Sequence, residues 1–142
     1  MEYPAEFTLD QEVGGYVVTF PDVPEAITQG DTLEEATDMA EDALALALTF
    51  YVDRWERLPA ASSADAGKRL VRVPSAAESK FRLYGALRSS GLGKADLMRL
   101  MKCPASRVDE ILDANRPSNI DEIEMAFAAI GKKLTVPVRE AA

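Results

Sequence analysis

The chain has 142 residues, with 24 acidic and 16 basic side chains, one cysteine and no histidine. Without histidine it has no Ser-His-Asp or Cys-His catalytic arrangement and no imidazole metal ligand, and Cys103 alone makes neither an internal disulfide nor a thiolate zinc site. A hydrophobic fraction of 47% with 28% charged residues predicts a folded core.

The most apolar stretch, residues 43–52, is far short of the roughly 20 residues that span a bilayer, and the start lacks the basic segment of a signal peptide. The expectation is a cytoplasmic chain with no membrane partner, no cofactor and no metal. The net charge of −8 conceals two unlike halves. Residues 1–65 carry 2 basic and 15 acidic side chains, a net of −13, whereas residues 66–142 carry 14 and 9, a net of +5. That step predicts two domains, the first suited to a basic surface and the second to phosphates.

In the acidic half, Tyr3, Ala5, Phe7 and Leu9 alternate with polar residues and Pro4, the period of a half-buried strand. A second strand, Tyr16 to Phe20, follows a turn containing Gly14 and Gly15, so the two form a hairpin. Pro21 and Pro24 end it, and Ala26 to Gln29 makes a short third strand closed by Gly30. Thr32 and Glu35 fit a capping box. Beyond it Leu33, Ala36, Ala40, Ala43, Leu44, Ala47, Leu48 and Tyr51 recur at helical spacing, with Glu34, Glu35, Asp38, Glu41 and Asp42 on the other face. Residues 59–67 read as a loop and Leu70 to Val73 as a last strand, for an order of β-β-β-α-β.

The run Gly14-Gly15-Tyr16-Val17-Val18-Thr19-Phe20-Pro21-Asp22-Val23-Pro24, with Thr28 to Thr32 and Glu34-Glu35-Ala36, resembles the N-terminal signature of the HicB antitoxin family. The resemblance implies a truncated RNase H-like domain that binds and inhibits HicA, a small basic mRNA-cleaving toxin. It does not single out the toxin-contact residues. An RNase H active site would need carboxylates converging on metal ions, and the spacing of Glu6, Asp10, Asp22 and Asp31 does not demand that.

The basic half reads as four short helices. Ser75 to Glu78 suits a capping box, followed by a stripe of Ala77, Phe81, Tyr84 and Leu87 up to Gly91. A second helix from Lys94 to Met101 places Leu97, Leu100 and Met101 inward. A third begins with Pro104 in its first position and buries Val108, Ile111 and Leu112. The last, from about Asn119, uses Ile120, Ile123, Phe127 and Ile130 and ends at Gly131.

The segment Leu97 to Val108, with Leu112, Asn115 to Ser118 and Ala128 to Leu134, resembles the helix-turn-helix of the Xre and Cro repressor class. The resemblance implies a phosphate contact at Lys94, base reading at Ala105, Ser106 and Arg107, and a backbone contact at Arg116. Arg107 on its own is compatible with a base contact, a phosphate contact or a surface ion pair. Two positions depart from the pattern: Lys102 replaces the usual turn glycine, and Ala105 replaces a common glutamine.

Leu134, Val136 and Val138 alternate like a short C-terminal strand, which would pair with a second subunit. The expected whole is an α+β chain. Residues 1–74 form the toxin-binding domain, and residues 75–142 form an all-α helix-turn-helix domain for DNA binding and dimerisation. Its expected partners are a HicA-type toxin, operator double-stranded DNA, and further copies of the chain in a homodimer or higher homo-oligomer. The expectation is a chain with no catalytic residue that is not an enzyme. A ligand-responsive repressor and an RNase H-like nuclease remain the alternative readings of the sequence.

Overall fold

The computed structural model describes residues 1–138 and Glu140; Arg139, Ala141 and Ala142, at the end of the second expected domain, lie outside the described residues. The chain divides into two compact units, Met1–Glu78 and a second beginning at Ser79.

The first unit contains β1 (Glu2–Leu9), β2 (Tyr16–Thr19), β3 (Ile27–Gly30), α1 (Leu33–Asp53) and β4 (Lys68–Arg72). The strands form one antiparallel sheet in the order β3-β2-β1-β4. Pairing β1 with β4 needs no crossover helix of the parallel kind, because the strands run in opposite directions. Pro4 is tolerated within β1 because its ladder with β2 starts only at Glu6. On the β4 side Val73 N–H donates to Met1 O at 2.9 Å, and alternation makes Pro4 and Leu70 a non-hydrogen-bonded pair.

The core lies between one sheet face and α1. Tyr3, Ala5, Val18 and Val71 from the sheet meet Ala36, Ala40, Leu44, Ala47 and Leu48, all buried. Gly30 is required by proximity: a Cβ there would stand 2.4 Å from Ala36 N, so β3 runs directly into the first turn of α1. Gly15, at φ +79°, would meet Gly30 O at 2.6 Å if it carried a Cβ.

Thr32 Oγ1 accepts from Glu35 N–H as the capping box predicts, while the Glu35 carboxylate accepts from Asp31 N–H, one residue outside the standard box. At the other end of α1, Trp55 N–H donates to Val52 O and Glu56 N–H to Tyr51 O, a Schellman closure. Trp55 fills its left-handed position at φ 55°, where glycine is usual. The expected inward set needs small changes: Tyr51 is half-buried, Thr49 and Val52 are buried, and Leu9 is exposed at the hairpin end of β1.

The second unit holds most of α2 (Ser75–Ser89), together with α3 (Lys94–Met101), α4 (Ala105–Leu112) and α5 (Ile120–Ala129). α3 packs on both α4 and α5. Phe81, Leu83, Tyr84, Leu87, Leu97, Val108, Ile111, Leu112, Ile123, Ala126 and Phe127 are buried.

Several expectations change at the residue level. Leu100 and Ile120 are exposed rather than inward. Pro104, with ψ 164°, caps α4 instead of opening it, and its carbonyl accepts from Arg107 N–H at 3.0 Å. Glu78, the acid of the box expected at the start of α2, ion-pairs with the Met1 ammonium. Residues 134–138 form no strand. A strand requires a ladder partner, and the second unit contains no strand among its described residues.

Candidate nucleic-acid interface

α3 and α4 are joined by Lys102, Cys103 and Pro104. The tight turn depends on Lys102 in the left-handed conformation (φ 54°, ψ 48°), with Cys103 N–H donating to Met98 O at 3.1 Å. The missing glycine noted in the sequence therefore leaves the geometry intact and places a lysine in backbone space that costs an L-residue about 1 kcal/mol. At the head of α3, the Asp96 carboxylate accepts from Gly93 N–H at 2.8 Å and from Arg99 at 2.9 Å. These two bonds, the Gly93 one first, hold Asp96 below the usual carboxylate range. Cys103 is a free, half-buried thiol.

Ala105, Ser106 and Arg107 occupy the exposed first turn of α4, and Lys94 opens α3. None of the three cationic candidates stands alone. Lys94 Nζ lies 2.8 Å from Asp109 Oδ1. Arg107 is held by Glu122 of α5 and lies 3.8 Å from Glu110, and Arg116 approaches the same Glu110 at 3.8 Å. Arg107 and Arg116 are thus gathered around one carboxylate, while Lys94 is tied to a separate one. Exposed pairs of this kind are each worth about 0–1 kcal/mol, so phosphates or base edges can replace the carboxylates at small cost.

Sequence reasoning missed Lys80. It is 1% exposed, yet its ammonium donates to the carbonyls of Glu110 (2.9 Å), Asp113 (2.8 Å) and Arg116 (2.6 Å). Burial pushes this lysine below its ordinary range, opposed first by the nearby Asp113 charge. The ammonium ties down the end of α4 and the segment that carries Arg116. The available signal was spacing: Lys80 follows Ala77 by three residues and precedes Tyr84 by four, in the middle of the apolar stripe.

In the first unit, two of the four carboxylates considered for metal chemistry, Asp10 and Asp22, hold loop groups instead, while Glu6 and Asp31 are exposed. Asp10 accepts from Glu12 and Val13 N–H groups in the hairpin turn, and Asp22 accepts from Ser62 N–H and Oγ at 2.8 Å. Among the described residues no three Asp, Glu or Cys side chains are grouped to hold a metal ion, and no helix is long and apolar enough to cross a membrane.

Residues 2–82, covering the whole sheet, α1 and the first half of α2, match the family model described as the HicB-like antitoxin of the bacterial toxin-antitoxin system. The chain belongs to the HicB antitoxin family. Similarity to HicB proteins continues through α3, α4 and α5. Antitoxin HicB of Escherichia coli K12 is 35% identical over 136 residues, covering 96% of this chain and 98% of that protein. Antitoxin HicB 1 of Photorhabdus laumondii is 40% identical over 139 residues, 97% of this chain and 87% of its own. Antitoxin HicB of Pseudomonas fluorescens is 33% identical over 144 residues, 99% and 95% respectively.

Proposed function

We propose that this HicB-family chain is the antitoxin of a type II toxin-antitoxin pair, which neutralises a HicA-type mRNA-cleaving toxin and represses its own operon by binding operator DNA. Neutralisation is assigned to residues 1–74, a truncated RNase H-like domain that covers the surface the toxin uses for RNA. Operator binding and dimerisation are assigned to residues 75–142. There α3 and α4 act as a helix-turn-helix, with Lys94 and Arg116 on phosphates and Ala105, Ser106 and Arg107 at base edges.

The observation that carries this reading is the near-full-length similarity to proteins named Antitoxin HicB. The charge partition supports it. Redrawn at the boundary between the units, the net charges are −11 and +3, an acidic half for a basic protein and a basic half for phosphates. Both roles are binding roles and need no catalytic group from this chain.

Co-expression with the cognate HicA-type toxin tests the first role: growth is restored by the full chain if the reading holds, and toxicity that persists despite good antitoxin expression rejects it. Mobility shift with the promoter region tests the second. Mass measurement before and after deletion of residues 134–142 tests whether the C-terminal segment joins two copies.

A further inference from the structure

The outer face of α1 carries a feature that neither its folding nor the DNA reading uses. Glu35, Met39, Asp42, Leu46, Phe50 and Asp53 follow one another at spacings of 4, 3, 4, 4 and 3. Such spacing aligns them along one side of a helix over about 27 Å. All six are exposed, with Met39 at 43%, Leu46 at 50% and Phe50 at 43%. The opposite side, Ala36, Ala40, Leu44 and Leu48, supplies the core. Scattered apolar residues on a surface need no account, but these three lie in register along one side of the helix, with carboxylates at both ends of the row and between Met39 and Leu46.

We infer that the Met39, Leu46 and Phe50 stripe of α1, bordered by Glu35, Asp42 and Asp53, is the docking surface for a basic protein partner. On the proposed function, on which this inference rests, that partner is the toxin.

Charge selects the occupant. α1 contains six carboxylates and no basic residue, so phosphates of RNA, DNA or an anionic lipid surface are repelled. A second copy laid along the same stripe would set acid against acid in either direction. A basic protein instead gains ion pairs at the rim while methionine, leucine and phenylalanine are covered at the centre. The outer sheet positions are less suited, because Glu2 and Glu6 there alternate with Lys68 and Arg72.

The test measures binding of full-length chain to its purified cognate HicA-type toxin for wild type, Leu46→Arg, Phe50→Arg and Leu46→Met. Ile27→Arg, at a 64%-exposed position on β3, is the control. Melting temperature is recorded for each. The two arginine variants are expected to melt like wild type and to lose about 30-fold or more in affinity, while Leu46→Met and Ile27→Arg stay within about threefold. Wild-type binding retained by both arginine variants overturns the stripe and leaves the antitoxin reading standing. Absence of wild-type binding rejects that reading and the stripe together. Conversion of a wild-type oligomer to monomer by Leu46→Arg, with toxin affinity unchanged, makes the stripe a copy-to-copy interface and also overturns it.

Discussion

The Lys80 ammonium reaches the carbonyl of Arg116 across 2.6 Å, linking α2 to the segment that follows α4. The same ammonium also bonds Glu110 and Asp113, so one side chain satisfies three backbone acceptors at the end of α4. Lys80→Met, an unbranched apolar replacement, removes the ammonium from all three carbonyls and leaves that of Arg116 most affected, because Glu110 O also accepts from Asp113 N–H and Asp113 O from Arg116 N–H. The expected loss is about 1–3 kcal/mol of second-unit stability, read as a lower urea midpoint. On the proposed operator-binding role, affinity for promoter DNA should fall with it, because the segment carrying Arg116 loses its anchor. An unchanged midpoint would show that water replaces the ammonium without penalty.

Arg107 is restrained by Glu122 and Glu110, and on the proposed operator-binding role those carboxylates compete with DNA for it. Releasing it with Glu122→Gln should tighten binding to random-sequence DNA severalfold and steepen the salt dependence by up to about one counterion. Arg107→Ala should cost about 1–3 kcal/mol at the operator and leave toxin neutralisation intact. Fluorescence anisotropy across a salt series measures both. Equal affinities and slopes in wild type and Glu122→Gln would remove Glu122 from this role.

Lys102 adopts a left-handed backbone conformation that glycine occupies without strain. Lys102→Gly should therefore stabilise the second unit by up to about 0.5 kcal/mol, much of the relieved strain being offset by glycine's greater freedom when unfolded. Thermal melting should show a rise of a few degrees. A fall in melting temperature would mean that the lysine side chain contributes more than its backbone costs.

Tyr3 donates its hydroxyl to Pro59 O at 2.7 Å, and burial, followed by the charge of Asp22, raises its pKa above 10.0. A raised folded-state pKa means that the unfolded chain gives up the proton first. The stability contributed by this group is complete below pH 10 and is lost as pH climbs from there through the folded-state value. Urea titrations between pH 8 and 11 should show this alkaline decline for the first unit, shallower in Tyr3→Phe. Identical pH slopes in the two proteins would contradict the assignment.

The order of elements was legible in the sequence because each has a local signal: alternation in β1, the Thr32 cap of α1, and Gly131 after α5. Residues whose setting depends on distant partners were less so. Ile120 fits the stripe of α5 by spacing, yet it lies in the first turn and is exposed, because the core begins one turn later at Ile123. Leu134 to Val138 has strand alternation, which cannot reveal whether a partner strand is present. At the candidate interface the cations were visible as residue types, but Asp109, Glu110 and Glu122 become their partners only through folding. Lys80 was hidden by its chemistry, since a lysine in an apolar stripe is read as a surface residue until three carbonyls are seen around it.

The left-handed closure of α1 also sets the optics of the molecule. Trp55 is the chain's lone tryptophan, and it belongs to the first unit. Tyr84 is the second unit's one tyrosine, since the other three lie in the first. Indole emission consequently reports loss of the α1 end, while far-ultraviolet helix signal follows the helical second unit as well. A denaturation curve recorded by both methods can separate the melting of the two halves without any introduced label.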